Sequence, residues 1–176
     1  DPHDAQDICF HTEAFCSCLA ETSLPAESAE SFLGQAVALA NDQIWGSLNA
    51  TLIVHPRSRR DARVNAAVEA AVTDLRYGTV AINHWAGVNF GLGSTTWGAF
   101  PGHPPHAIQS GSGVVHNTYM FDRPQKTVLT GPFRPIFKPV WFATHRRLQH
   151  IGPTLFRFEC APSWLRLPSV VVNAIG

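Results

Sequence analysis

The chain has 176 residues, 45% hydrophobic and 15% charged, a composition that supports one good core and excludes disorder as the default state. Its net charge is zero but unevenly spread: residues 1–56 hold eight acids and no Lys or Arg, whereas residues 123–176 hold eight Lys or Arg and only Glu159. A basic, aromatic tail suits nucleic acid or an acidic partner, yet the simpler reading is that the two ends pack against each other or against further chain, and no nucleic-acid partner is expected.

No basic region followed by an apolar run opens the sequence, and its apolar stretches fall short of the roughly 18 to 20 residues a bilayer requires. No membrane partner and a cytoplasmic location are therefore expected. Met120 is the only methionine, so the sequence reads as a piece of something longer.

In chain order, the first distinctive stretch is "TEAFCSCLAET", residues 12 to 22. Read as a strand, it turns Cys16 and Cys18 to one face, the arrangement of small buried thiols on a core strand. One such half-pair is too little for zinc, and neither a thiolate-stabilising charge nor a base is evident nearby. Cys9, Cys16, Cys18 and Cys160 have no disulfide-framework spacing and read as reduced thiols.

From Ser28 to Asp42, Phe32, Leu33, Ala36, Val37 and Ala40 form the stripe of an amphipathic helix. "ATLIVHP" reads as a buried strand closed by Pro56. A second helix follows, capped by Ser58 and running to Tyr77, with Gly78 placed to end it. "GTVAIN" is a second buried strand. This alternation predicts an α/β domain with a parallel sheet.

Residues 84–118 are glycine-rich and aromatic, a span long enough to be functional or to contain unrecognised elements. Within it, His103-Pro104-Pro105-His106 reads as a loop rather than a metal site, because the prolines forbid helix geometry. "GLGSTTWG" fails as a dinucleotide fingerprint. "SGSG", residues 110–113, is short enough in side chain to let backbone approach a ligand or another strand closely. "KTVLTG" restores strand character, "GPFRPIFKPVW" is extended and Pro-punctuated, and a short helix is expected around His145 to His150.

Taken together, "EAF", "ANDQIWGSLNATLIVHP", "LRYGTVAIN" and "SGSG" ahead of "KTV" resemble, in order and spacing, the last third of the NAD(P)-dependent aldehyde dehydrogenase superfamily over residues 12–131. The resemblance implies a parallel-sheet, three-layer fragment of that family's catalytic domain over residues 1–133, followed by a basic, aromatic extension over residues 134–176. It implies NAD or NADP as cofactor, with Glu13 accepting hydrogen bonds from the nicotinamide ribose and Phe15 beside the nicotinamide ring. A carboxylate can engage two neighbouring hydroxyls, and an aromatic face can hold the ring for hydride transfer.

The resemblance also implies that Asn83 fixes the loop leading to the aldehyde substrate and that His84, Trp85 and Phe90 line or approach its pocket. It further implies that residues 126–131 form an edge strand joining a partner subunit in a homo-oligomer. Cys16-Ser17 stands where the family has Gly-Pro, and "WGAFPGH" where it has Pro-Phe-Gly-Gly, which marks a divergent branch. The family's nucleophilic cysteine and general-base glutamate both lie upstream of the Glu-x-Phe motif. No catalytic residue and no metal ligand is therefore assigned here, and these residues alone are expected to be inactive. The alternative is a truncated, non-catalytic relative serving as a binding or assembly module.

Overall fold

The computed structural model describes Asp4, residues 6–140, Phe142 and residues 144–175. The chain divides into two units, Asp1–Phe133 and Arg134–Gly176.

The first unit is built on a three-stranded parallel sheet in the order β1 (Asn49–Leu52), β2 (Thr79–Ile82), β5 (Thr127–Thr130). Asn49 lies opposite Thr79, and Thr79 opposite Thr127. Helix α2 (Ala29–Asp42) forms where the apolar stripe lies, and the Ser28 hydroxyl caps it by accepting from the Ser31 N–H. Helix α3 (Ala62–Asp74) forms the crossover from β1 to β2. Its cap is Asp61, whose Oδ1 accepts from the Arg63 N–H at 2.8 Å; Ser58 opens a separate 3-10 turn, Ser58–Arg60. The expectation of a Ser58 cap is thus corrected: the 3-10 turn carries the chain past Ser58 before α-helical geometry begins.

The alternation along β2 sorts the two faces of the sheet. Val80 and Ile82 join Val72, Leu75 and Tyr77 in the main core, with Val37 and Ala40 of α2 and Ala50 and Leu52 of β1 packed against it. Thr79 points to the opposite face, where its hydroxyl accepts from Asn89 of the short helix α4 (Val88–Leu92). Burying both faces of β2 matches its unbroken run of buried residues. β1 departs from the expected buried strand: it alternates exposed and half-buried residues, and Ile53 just after it is 71% exposed, because among the described residues β1 pairs only with β2.

The second helix ends at Asp74 rather than Tyr77, since Leu75 is already extended (ψ 123°) and delivers Leu75 and Tyr77 to the core as connector residues. The Tyr77 hydroxyl donates to the Ala40 carbonyl at 2.9 Å, fastening α2 to the start of β2. Burial pushes the Tyr77 phenol above its usual value. The unfolded chain then loses this proton at lower pH than the folded one, so the contribution is complete below pH about 10 and disappears as pH climbs through the folded-state value. Tyr77→Phe is expected to lower stability by about 1 kcal/mol at neutral pH and to flatten the loss of stability above pH 10. Urea unfolding across that range checks both.

Residues 84–118 contain α4 and the antiparallel pair β3 (Trp97–Gly98) and β4 (Val114–Val115), rather than one open loop.

The stretch at residues 12–22 corrects a second expectation. After a single helical turn, α1 (Ile8–His11), the segment is irregular, and all of residues 12–22 are exposed. A strand requires a partner for its backbone groups, and no strand among the described residues pairs with it. Cys16 and Cys18 are accordingly exposed thiols, as are Cys9 and Cys160. A thiol-reactive chromophore is expected to titrate all four without denaturant, Cys9 most slowly because its hydrogen bond to the Asp7 carboxylate raises its pKa.

The second unit is a helical hairpin, α5 (Leu148–Cys160) and α6 (Leu167–Ala174), in place of the short helix expected at 145–150. Residues 131–140 form neither helix nor strand, and Trp141 lies outside the described residues. No helix among the described residues is long and apolar enough to cross a membrane.

Candidate functional site

The carboxyl ends of parallel strands are where open α/β sheets bind ligands, because the chain splays there into the following loops. Here those ends are occupied by Val54, Asn83 and Gly131. Asn83 sits in the left-handed region (φ 56°), a conformation that Asn tolerates better than most residues. Its backbone N–H donates to the Leu52 carbonyl at 2.8 Å. Its side chain grips the buried Val54 from both sides: Oδ1 accepts from the Val54 N–H at 2.7 Å, and Nδ2 donates to the Val54 carbonyl at 2.9 Å. Thus one residue fastens the end of β1 to the end of β2 and fixes where the next loop begins.

The loop itself is held by close approach. The Gly131 N–H donates to the Ile82 carbonyl, and a Cβ on Gly131 would lie 2.5 Å from Cδ2 of His84. Likewise a Cβ on Gly87 would meet the Trp85 indole at 2.5 Å, so Trp85 lies against bare backbone. His84 Nδ1 lies 3.2 Å from the Trp85 carbonyl. Phe90, on α4, makes edge contacts with Trp97 (ring centroids 5.9 Å apart) and His116 (4.9 Å) and remains 54% exposed. The strand ends therefore bring Asn83, His84 and Trp85 onto one turn, with Phe90 following on α4.

Glu13 and Phe15 stand apart from this arrangement. Both lie on the exposed irregular segment, Phe15 with 91% of its surface open, and neither makes a hydrogen bond or ring contact with Asn83 or Phe90 among the described residues.

Several positioning residues were not visible in the sequence. Asn89 is fully buried: its Nδ2 donates to Thr79 Oγ1 and to the Thr96 carbonyl, both at 2.9 Å, and its Oδ1 accepts from the Thr95 hydroxyl. This hub seats α4 on the sheet. The Lys126 ammonium donates to the carbonyls of Val72, Thr73 and Leu75, neutralising the carboxyl end of α3, and lies 5.6 Å from the Phe100 ring centroid. Partial burial lowers the Lys126 pKa, while Asp74 acts in the opposite direction.

A cleft of about 490 Å³ opens at the other end of the strands, lined by Trp45, Ser47, Arg76, Phe100, His103 and Gln109 among others. In it the Ser47 hydroxyl is hydrogen-bonded to His103 Nε2 at 2.6 Å. Ser47 also donates its N–H to Ser110 Oγ, and its carbonyl accepts from Gly78 and Phe100. No carboxylate among the described residues orients His103, so the pair lacks the third group of a nucleophilic triad and acts as a knot tying the 100–110 segment to β1. His106 is exposed, and no group of three or more His, Cys, Asp or Glu among the described residues is arranged to hold a metal ion.

Comparison of the chain with protein families, with curated proteins and with solved structures finds no match.

Proposed function

We propose that this chain is the C-terminal portion of a divergent NAD(P)-dependent aldehyde dehydrogenase, an oxidoreductase converting an aldehyde to a carboxylic acid. The observation that carries this reading is Asn83, which follows "GTVAI" in sequence and clamps Val54 at the carboxyl ends of parallel strands. A loop-fixing asparagine at that position is what the resemblance requires. In this reading Asn83 holds the loop bearing His84, Trp85 and Phe90 at the edge of the aldehyde pocket. Glu13 and Phe15 meet the nicotinamide ribose and ring once the upstream, cofactor-holding part of the chain covers their segment. When bound, NAD(P) supplies the hydride acceptor; the thiolate and the hydrolytic base come from upstream.

Phe15 (91% exposed) and Leu19 (94% exposed) lie open on the irregular segment that the upstream chain would cover in this reading. Among the described residues β5 pairs with β2 only, and Val128 on it is half exposed, so residues 126–131 also offer an edge for a second subunit. That open edge is the observation favouring the second reading, a non-catalytic assembly module.

The site assignment is tested in the longer parent chain with Glu13→Gln. Replacing one of two charge-assisted acceptors is expected to lower kcat/KM for the nucleotide roughly tenfold. Unaltered nucleotide kinetics would remove Glu13 from the cofactor site.

A further inference from the structure

Residues 134–176 carry Arg134, Lys138, Arg146, Arg147, Arg157 and Arg166 against a single acid, Glu159. α5 gathers part of this charge on one side, because His150, Thr154 and Arg157 follow one another at intervals of four and three residues, with Arg146 and Arg147 at its start. These five residues and Asn173 of α6 line a cleft of about 660 Å³ whose lining contains no carboxylate.

The arrangement leaves strong donors unspent. Thr154 and Asn173 brace the two helices, Asn173 Nδ2 donating to Thr154 Oγ1 at 3.2 Å. One guanidinium nitrogen of Arg147 donates to the Val172 carbonyl at 3.2 Å, which holds that side chain at the cleft. The guanidinium groups of Arg146 and Arg157 meet no acceptor among the described residues, and both side chains are exposed. Three guanidiniums around one opening repel each other unless an anion lies between them. The planar fork of Arg matches phosphoryl oxygens in pairs.

We infer that this cleft binds a small anion carrying two or more adjacent phosphoryl groups. Arg147 and Arg157 are ten residues apart on the helix, about 15 Å along its axis. That separation favours a ligand with several phosphoryl groups over a single phosphate. The same chemistry is found in soluble polyphosphates and in phosphoinositide headgroups. This inference is independent of the proposed dehydrogenase reading.

Calorimetric titration of the 176-residue chain with tripolyphosphate at low salt is expected to show saturable 1:1 binding, with inorganic phosphate at least about tenfold weaker. Arg146→Gln combined with Arg157→Gln should weaken tripolyphosphate binding about tenfold or more. Arg60→Gln combined with Arg134→Gln removes the same charge outside the cleft and should change it by less than about twofold. Circular dichroism of both double variants verifies that the fold is retained. Vesicles of phosphatidylcholine containing phosphatidylinositol bisphosphate identify the source: binding that tripolyphosphate competes away assigns a headgroup, and its absence assigns a soluble ligand. Equal loss in both double variants, or no preference for tripolyphosphate over phosphate, would overturn the site. So would duplex nucleic acid binding that tripolyphosphate fails to displace.

Discussion

Gly78→Ala is expected to lower stability by about 3 kcal/mol or more, seen as a large fall in the urea midpoint of the sheet unit. Gly78 immediately precedes β2; its N–H donates to the Ser47 carbonyl and its own carbonyl accepts from the Thr127 N–H, both at 2.9 Å. A Cβ there would lie 1.8 Å from the Gly98 carbonyl oxygen and 2.9 Å from the Ala99 carbonyl carbon. These are backbone atoms and cannot rotate aside, so relief requires β3 to move off the sheet. β3 is itself confined, since a Cβ on Gly98 would sit 2.3 Å from the Gly113 carbonyl oxygen. The close backbone approach thus runs through Gly78, Gly98 and Gly113 as three successive layers. Gly34, exposed in the middle of α2 with nothing within 4 Å of its Cβ position, supplies the contrast. Gly34→Ala should raise stability by about 0.5 to 1 kcal/mol, because only the helix propensity changes. Equal effects at the two positions would contradict the packing described for β2 and β3.

Asn83→Ala should lower stability by about 2 to 4 kcal/mol. It deletes both side-chain bonds to Val54, each contributing about 1 kcal/mol, strands the polar backbone groups of the buried Val54, and places a Cβ residue without side-chain support at φ 56°. Asn83→Gly separates these effects: it relieves the backbone and still loses the clamp, so it should recover about 1 kcal/mol of the loss. If alanine and glycine were both tolerated, Asn83 would be an ordinary loop residue and its role in fixing the turn of His84 and Trp85 would fall away. Midpoints from urea unfolding decide the stability question, and fluorescence of the exposed Trp85 reports whether the turn has shifted.

What the sequence disclosed follows the range of the forces involved. α2 was legible because its stripe and its Ser28 cap are local, and β2 because burial of both faces demands a continuous apolar run. The strand assigned to "TEAFCSC" failed for a nonlocal reason: alternation describes a strand only where a partner exists, and this stretch has none among the described residues. α5 was concealed by Gly152-Pro153, which reads as a helix break. Pro153 removes one backbone donor, but the clash of its ring with the preceding residue is eased because Gly152 has no Cβ. Asn89 and Lys126 gave no signal, because their partners lie 6 to 10 and 51 to 54 residues away in the chain. Asn83 was singled out through family resemblance, while the bonds it makes to Val54, 29 residues earlier, had no local signature.

The most direct measurement is NAD(P)H formation from a panel of aldehydes by the natural parent chain, compared with the 176-residue chain alone. The proposed function predicts NAD(P)-dependent oxidation by the parent, abolished when its upstream cysteine nucleophile is replaced, and none from residues 1–176. A natural reading frame that opens immediately before Asp1, or a longer parent that reduces neither NAD nor NADP with any aldehyde, would contradict it.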